Sequence, residues 1–207
     1  MRRMIGISRV VLSVSLSVLW GVSAPGLQAQ PAGLAVGETA PEFTAAASDG
    51  TPVSLKALLV KGPVVLVFYR GAWCPYCTRY MGDLQDSLPL IQKAGATVIA
   101  VTPELQENIQ KTQQKSGASF AIIYDRDHVI MDLYKTTFAL SGFKSTIHTI
   151  KGENLKNWNG TDEPVLPVPA TYIIGKNGKI LARHFDPDNI SVRMPVKRIL
   201  EELGKTR

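Results

Sequence analysis

The chain has 207 residues and two cysteines, both in the run Arg70-Gly71-Ala72-Trp73-Cys74-Pro75-Tyr76-Cys77. A sulfur pair with two residues between can close a disulfide within one helical turn. At a helix N-terminus the unpaired N–H groups and the helix dipole favour a thiolate. A thiolate is a nucleophile and a good leaving group, so the chemistry to expect is thiol redox. A structural staple explains the pair poorly, because stabilisation from a disulfide grows with the loop it closes and this loop is minimal. Zinc is poorly supported too, since a site needs four ligands and His128, His148 and His184 are scattered with no metal spacing. Arg70, just upstream, can add positive potential.

The elements that must position this pair are legible around it. Pro63-Val64-Val65-Leu66-Val67-Phe68-Tyr69 is a continuous apolar, β-branched run, the pattern of a strand buried on both faces. After the cysteines, Met81, Leu84, Leu88 and Ile91 fall on one face of a helix. Pro75 suits the first turn of that helix, where its missing N–H would be unpaired anyway, and Pro89 predicts a kink further on. Residues 97–101 predict a second buried strand, 104–115 a polar-rich helix, 120–124 a third strand and 128–135 a short helix. This β-α-β-α-β order predicts a parallel core. Periodicity is lost over residues 138–166, which read as an inserted loop lying over the domain. Asn159-Gly160-Thr161 within it matches a glycosylation sequon by chance. A strand over 170–174, Asn177-Gly178 and an apolar run over 179–182 predict a hairpin. A final helix over about 194–203 turns Ile199, Leu200 and Leu203 inward. Near the start, Asp49-Gly50 predicts a hairpin turn between Glu42-Phe43-Thr44 and Thr51-Pro52-Val53-Ser54.

The first thirty residues differ in kind. Arg2, Arg3 and Arg9 lead into an acid-free apolar run over residues 10–22, followed by Ala24 and Ala29. This reads as a secretory signal peptide, residues 1–29, with one redox domain over residues 30–207. The run is too short to span a bilayer, so export to the periplasm or beyond is expected, with no stable membrane association after cleavage. Three of the 23 basic residues lie in that leader, leaving 20 against 17 acids, a net charge of +3 rather than +6. Lys and Arg are scattered among acids, so no nucleic-acid stripe is present.

Three motifs together resemble a known family. They are Gly37-Glu38-Thr39-Ala40-Pro41-Glu42-Phe43, Val67-Phe68-Tyr69-Arg70-Gly71-Ala72-Trp73-Cys74-Pro75-Tyr76-Cys77, and Leu166-Pro167-Val168-Pro169-Ala170-Thr171-Tyr172-Ile173-Ile174. Over residues 33–204 the chain is similar to the peroxiredoxin-like branch of the alkyl hydroperoxide reductase/thiol-specific antioxidant family, within the thioredoxin-like superfamily. The resemblance implies an α/β, thioredoxin-like fold: a central mixed sheet flanked by helices, with an N-terminal β-hairpin extension and an inserted loop region. It implies an oxidoreductase reducing hydroperoxides through a Cys74/Cys77 dithiol–disulfide cycle, or alternatively a thiol–disulfide oxidoreductase acting on exported protein thiols. The redox-active disulfide then takes the place of any cofactor or metal. Its partners are a hydroperoxide or a protein thiol or disulfide, together with an external dithiol reductant.

The two parent patterns disagree about the attacking sulfur. The thioredoxin pattern makes Cys74 exposed and nucleophilic and Cys77 the buried resolving thiol, with Pro169 a cis-proline facing the dithiol. The peroxiredoxin pattern, laid on without gaps, puts Arg70 at its proline, Cys74 at its threonine and Cys77 at the peroxidatic position. Its peroxide-activating arginine is replaced by Pro169, and Arg193 and Arg70 are the candidates to substitute. Trp73 and Pro75 complete the set of supporting residues that the resemblance implies.

Overall fold

The computed structural model describes residues 31–140, 154–161 and 163–205. The expected leader and His148 lie outside the described residues. A hairpin of β1 (Thr44–Ala46) and β2 (Pro52–Ser54) opens the described chain, with Thr44 opposite Ser54. The Asp49 carboxylate accepts from the Thr51 N–H inside its turn. Ser54 then caps α1 (Leu55–Lys61), its hydroxyl accepting from the Ala57 N–H.

The core alternates strands and helices: β3 (Val64–Phe68), α2 (Pro75–Asp86), α3 (Leu88–Lys93), β4 (Thr97–Thr102), α4 (Gln106–Ser116), β5 (Ala121–Tyr124) and α5 (Val129–Leu133). There follow β6 (Thr137–Ala139), α6 (Leu155–Asn159), β7 (Val165–Pro167), β8 (Ala170–Ile174), β9 (Ile180–Phe185) and α7 (Val196–Gly204). The main sheet is mixed and runs β5-β4-β3-β8-β9. Strands β3, β4 and β5 are mutually parallel, while β8 is antiparallel to β3 and β9 to β8. This is the α/β architecture that the resemblance implies.

Burial explains why β3 reads as an uninterrupted apolar run. Val65 and Val67 pack with Tyr80, Met81, Leu84, Ile91, Ile109, Ile199 and Leu203 under the helices α2, α3, α4 and α7. The alternate residues Val64, Leu66 and Phe68 pack on the other face with Phe43, Leu55, Met131, Tyr134 and Tyr172. Phe68, Tyr134 and Tyr172 form a ring cluster there, with centroids 5.3 to 6.0 Å apart.

Three expectations change. Pro89 breaks the helix rather than kinking it: α2 ends at Asp86 with Ser87 as its C-cap, and α3 restarts with Pro89 in its first turn, where no N–H is needed. The stretch 138–166 is not loop throughout, because β6 and β7 pair antiparallel from Thr137–Pro167 to Ala139–Val165 and α6 forms between them. Its three-residue strands are too short to show a period. The Val168–Pro169 bond is trans, there being no cis bond among the described residues. Trans is the cheaper isomer, and with Val168 N–H bonded to the Thr136 carbonyl the chain runs on from β7 into β8 without a tight turn to demand cis.

One close approach sets the entry to the strand pair that carries the site. Gly62 precedes β3, Gly95 precedes β4, and a Cβ at Gly62 would run into the Gly95 carbonyl oxygen. Gly62→Ala is therefore expected to destabilise the fold by about 1–3 kcal/mol, the usual cost of overpacking. Chemical denaturation checks this, and an unchanged midpoint would contradict it.

Candidate active site

The turn between β3 and α2 carries the sulfurs to the C-terminal edge of the parallel strands, where α/β sheets place their sites. Cys74 is the N-cap of α2 with extended backbone, Pro75 occupies the first helical position, and Cys77 lies within the first turn. The carbonyl of Cys74 accepts from the N–H groups of Cys77 and Thr78. Gly71 allows the turn: its φ is +151°, and a Cβ there would meet the Trp73 indole and the Glu104 carboxylate.

Both sulfurs are closed off, Cys74 and Cys77 each being only 1% exposed. The expectation of an exposed Cys74 is thus corrected: the 70–74 turn folds over it, with Trp73 packed against the same core. Two guanidinium groups reach the pair. Arg70 Nη2 donates to Cys74 Sγ at 3.2 Å, and Arg193 Nη2 donates to Cys77 Sγ at 3.3 Å. Arg193 arrives from the loop between β9 and α7 and is fixed by its Nη1, which donates to the carbonyls of Ile190 and Val192. Arg70 lies over the Trp73 ring, 5.2 Å from its centroid. Among the described residues the Nε atoms of both arginines are buried and have no partner.

The two thiols separate in acidity. Burial opposes a thiolate at Cys77, but the hydrogen bond from Cys74 and the charges of Arg193 and Arg70 outweigh it and bring the group down to about 5. The same sulfur–sulfur hydrogen bond, with burial and the negative Cys77, pushes Cys74 well above the ordinary thiol range. The arrangement therefore favours the thiolate at Cys77 and the thiol at Cys74.

Residue by residue, the structure brings Arg70, Trp73, Pro75, Cys74, Cys77 and Arg193 together. Pro169 is buried at the entry to β8, one residue before Ala170, which pairs with Phe68 at the end of β3. Next along β8, Thr171 shares a hydrogen bond with the Tyr80 hydroxyl of α2 at 3.1 Å, tying this segment to the helix of the cysteines.

Glu104 is the residue that sequence reasoning placed wrongly, at the start of a polar-rich helix. That helix starts at Gln106, and Glu104 is fully buried in the loop before it. Its Oε1 accepts from the Ala72 N–H at 2.6 Å. Its Oε2 accepts from the hydroxyls of Thr112 at 3.0 Å and Tyr69 at 3.4 Å. Burial pushes its carboxyl up to about 7 against these hydrogen bonds, and the negative charge at Cys77 adds to the rise. The one available signal was position: Pro103-Glu104 directly follows a strand that ends at the active edge of the sheet. No cluster of three metal-ligating side chains exists among the described residues.

Comparison with known proteins decides the family. The model of the AhpC/TSA family matches residues 36–183. The chain belongs to the AhpC/TSA family. A thiol-disulfide oxidoreductase ResA of Geobacillus thermodenitrificans is 27% identical over 172 residues, 83% of this chain and 81% of that protein. A putative peroxiredoxin bcp of Helicobacter pylori is 35% identical over 102 residues, 49% of this chain and 66% of that one. The peroxidoxin BcpB structure of Mycobacterium tuberculosis superposes with a TM-score of 0.65 at 20% identity, covering 83% of this chain and 97% of that one. Peroxiredoxin Q of Xanthomonas campestris gives a TM-score of 0.60 at 18% identity, over 79% and 90%. As an AhpC/TSA member this chain is a thioredoxin-fold oxidoreductase of the peroxiredoxin and thiol–disulfide oxidoreductase group.

The acidity pattern is directly testable. A titration of thiolate ultraviolet absorbance on the reduced protein is expected to show one thiolate with a midpoint near 5, and no second ionisation below the ordinary thiol range. Folded-state stabilisation follows the depressed group: it is fully present above the unfolded thiol value and lost as pH falls through about 5. Arg193→Met is expected to move the midpoint upward. A wild-type midpoint at the free-cysteine value would contradict the arrangement.

Proposed function

We propose that this protein reduces hydroperoxides, with Cys77 as the attacking sulfur and Cys74 as the resolving one. The observation that carries the reading is the closed Cys77 and Cys74 pair, each sulfur held by a guanidinium group whose buried Nε N–H is unpartnered. Those donors can receive the oxygens of a small oxidant as charge develops on them. The Cys77 thiolate attacks the terminal oxygen of the hydroperoxide. The O–O bond breaks, the alkoxide takes a proton and leaves as an alcohol, and Cys77 becomes a sulfenic acid. The Cys74 thiol then attacks the Cys77 sulfur and water leaves. The resulting Cys74–Cys77 disulfide is reduced by an external dithiol, which is itself oxidised to a disulfide.

In this reading Arg193 and Arg70 supply the positive charge that the family pattern would place at Pro169. Trp73 holds Arg70 over the turn, and Pro75 starts the helix whose N-terminus faces the sulfurs. Thiol–disulfide exchange with exported proteins is the second reading, favoured by the long match to the oxidoreductase ResA. The arginine-led apolar run over residues 10–22 supports an exported site of action.

Rapid mixing of the reduced protein with hydrogen peroxide or cumene hydroperoxide tests the reading. The expected second-order rate far exceeds that of free cysteine. Arg193→Met, measured above its own thiol midpoint, is expected to lose roughly 10²-fold, as when one preorganised donor is removed. A wild-type rate no faster than free cysteine would sink the peroxidase.

A further inference from the structure

A second cleft, outside the dithiol site, opens at the same edge of the sheet. It encloses about 630 Å³ between the loop after β5, with Tyr124, Arg126, Asp127 and His128, and the end of α6, with Asn159 and Glu163. That volume suits a small ligand.

Both walls are fixed by the fold. On one side the Asp125 carboxylate accepts from the Ile130 N–H at 3.1 Å and the Met131 N–H at 2.8 Å, and its carbonyl accepts from the His128 N–H at 3.2 Å. On the other, the Leu105 N–H donates to the Trp158 carbonyl at 2.8 Å, and Asn108 Nδ2 donates to the carbonyls of Asn157 and Trp158 at 2.9 and 3.0 Å. Lys111 lies over the Trp158 ring, 5.2 Å from its centroid. The short helix α6 is thereby held against the head of α4.

Within this frame polar groups are left unpaired. Asn159 is only 3% exposed, yet neither its Oδ1 nor its Nδ2 has a hydrogen-bond partner. Nε2 of the buried His128 has none either. Buried polar groups without partners are costly, and native folds keep few of them. His128 also has a φ of +59°, in the left-handed region that residues with a Cβ seldom adopt. Strain and unpaired groups meet at one cleft, the pattern of a binding site.

We propose that the cleft binds a short peptide, with the Asn159 carboxamide paired to the peptide backbone. A carboxamide offers one donor and one acceptor side by side, the complement of the N–H and C=O that one residue of an extended peptide presents on one edge. His128 Nε2 supplies a further polar contact. Arg126 suits the peptide's terminal carboxylate, and Asp127 and Glu163 suit its terminal ammonium; among the described residues none of the three is engaged in an ion pair. Two acids against one base disfavour an anionic ligand such as a phosphate ester. Nor do any three His, Cys, Asp or Glu side chains cluster as metal ligands among the described residues. Tyr124 and Leu105 give the cleft an apolar wall for a peptide side chain.

Triglycine is the probe, set against aminooctanoate, the amide-free zwitterion of the same length. In a heteronuclear NMR titration of the isotope-labelled protein, triglycine is expected to bind saturably and to shift the side-chain amide resonances of Asn159. Aminooctanoate is expected to bind about tenfold more weakly or worse, the effect of losing one or more hydrogen bonds. This comparison uses the wild type and needs no variant to fold. Asn159→Leu, similar in size and lacking both polar atoms, is expected to lose the preference for triglycine while unfolding at an equal or higher denaturant midpoint, since it removes an unpaired buried amide. A purely structural asparagine would lower that midpoint. Absence of saturable triglycine binding, equal binding of the two probes, or an undiminished preference in Asn159→Leu would overturn the proposal.

Discussion

A thiolate shut away from water costs several kcal/mol unless opposite charge and hydrogen bonds meet it. At Cys77 they do: Arg193 reaches it from the loop after β9, Arg70 adds its charge from the end of β3, and the Cys74 thiol donates from the head of the helix. Each contributor depends on a different part of the fold. The β3–β4 pair sets the turn, the start of α2 sets the sulfur spacing, and the β8–β9 hairpin delivers the loop that carries Arg193. The dependence is mutual, since a desolvated guanidinium needs the sulfur as much as the sulfur needs it. Taking away one partner leaves an uncompensated charge, typically a loss of ~3–5 kcal/mol for a buried pair.

This asymmetry also divides the labour between two sulfurs that are equally buried and of the same element. Exposure cannot distinguish them, and charge does. Arg70 bonds directly to Cys74, yet the proton stays on Cys74, because that thiol donates to its negative neighbour and a second charge there would face the first. A single thiolate beside a thiol is the state a peroxide cycle requires, one group to attack and one protonated group held back to resolve.

Much of this was readable in the sequence where a local pattern carried it. The run from Val64 to Phe68 is apolar at every position because both faces are covered, and Pro75 between the cysteines marks a first helical turn. Arg193 could be singled out as a cation, but its approach to Cys77 across 116 positions is a property of the sheet order. Glu104 was misplaced because an acid ahead of a polar helix looks solvated, and only the turn at Gly71 and Ala72 closing over it makes it interior. Pro169 carried the wrong isomer because the thioredoxin pattern supplied the expectation, while the continuous path from β7 into β8 decides it. The β6–β7 pair was invisible because each strand spans three residues.

The central claim is that Cys77, not Cys74, is the sulfur that meets the oxidant. It is tested most directly by treating reduced Cys74→Ser and Cys77→Ser proteins with one equivalent of hydrogen peroxide, trapping sulfenic acid with a cyclic 1,3-diketone, and locating the adduct by peptide mass spectrometry. The account predicts a rapid adduct on Cys77 in the Cys74→Ser protein and little on Cys74 in the other. An adduct formed as fast on Cys74 in the Cys77→Ser protein, with Cys77 unmodified in its counterpart, would contradict it.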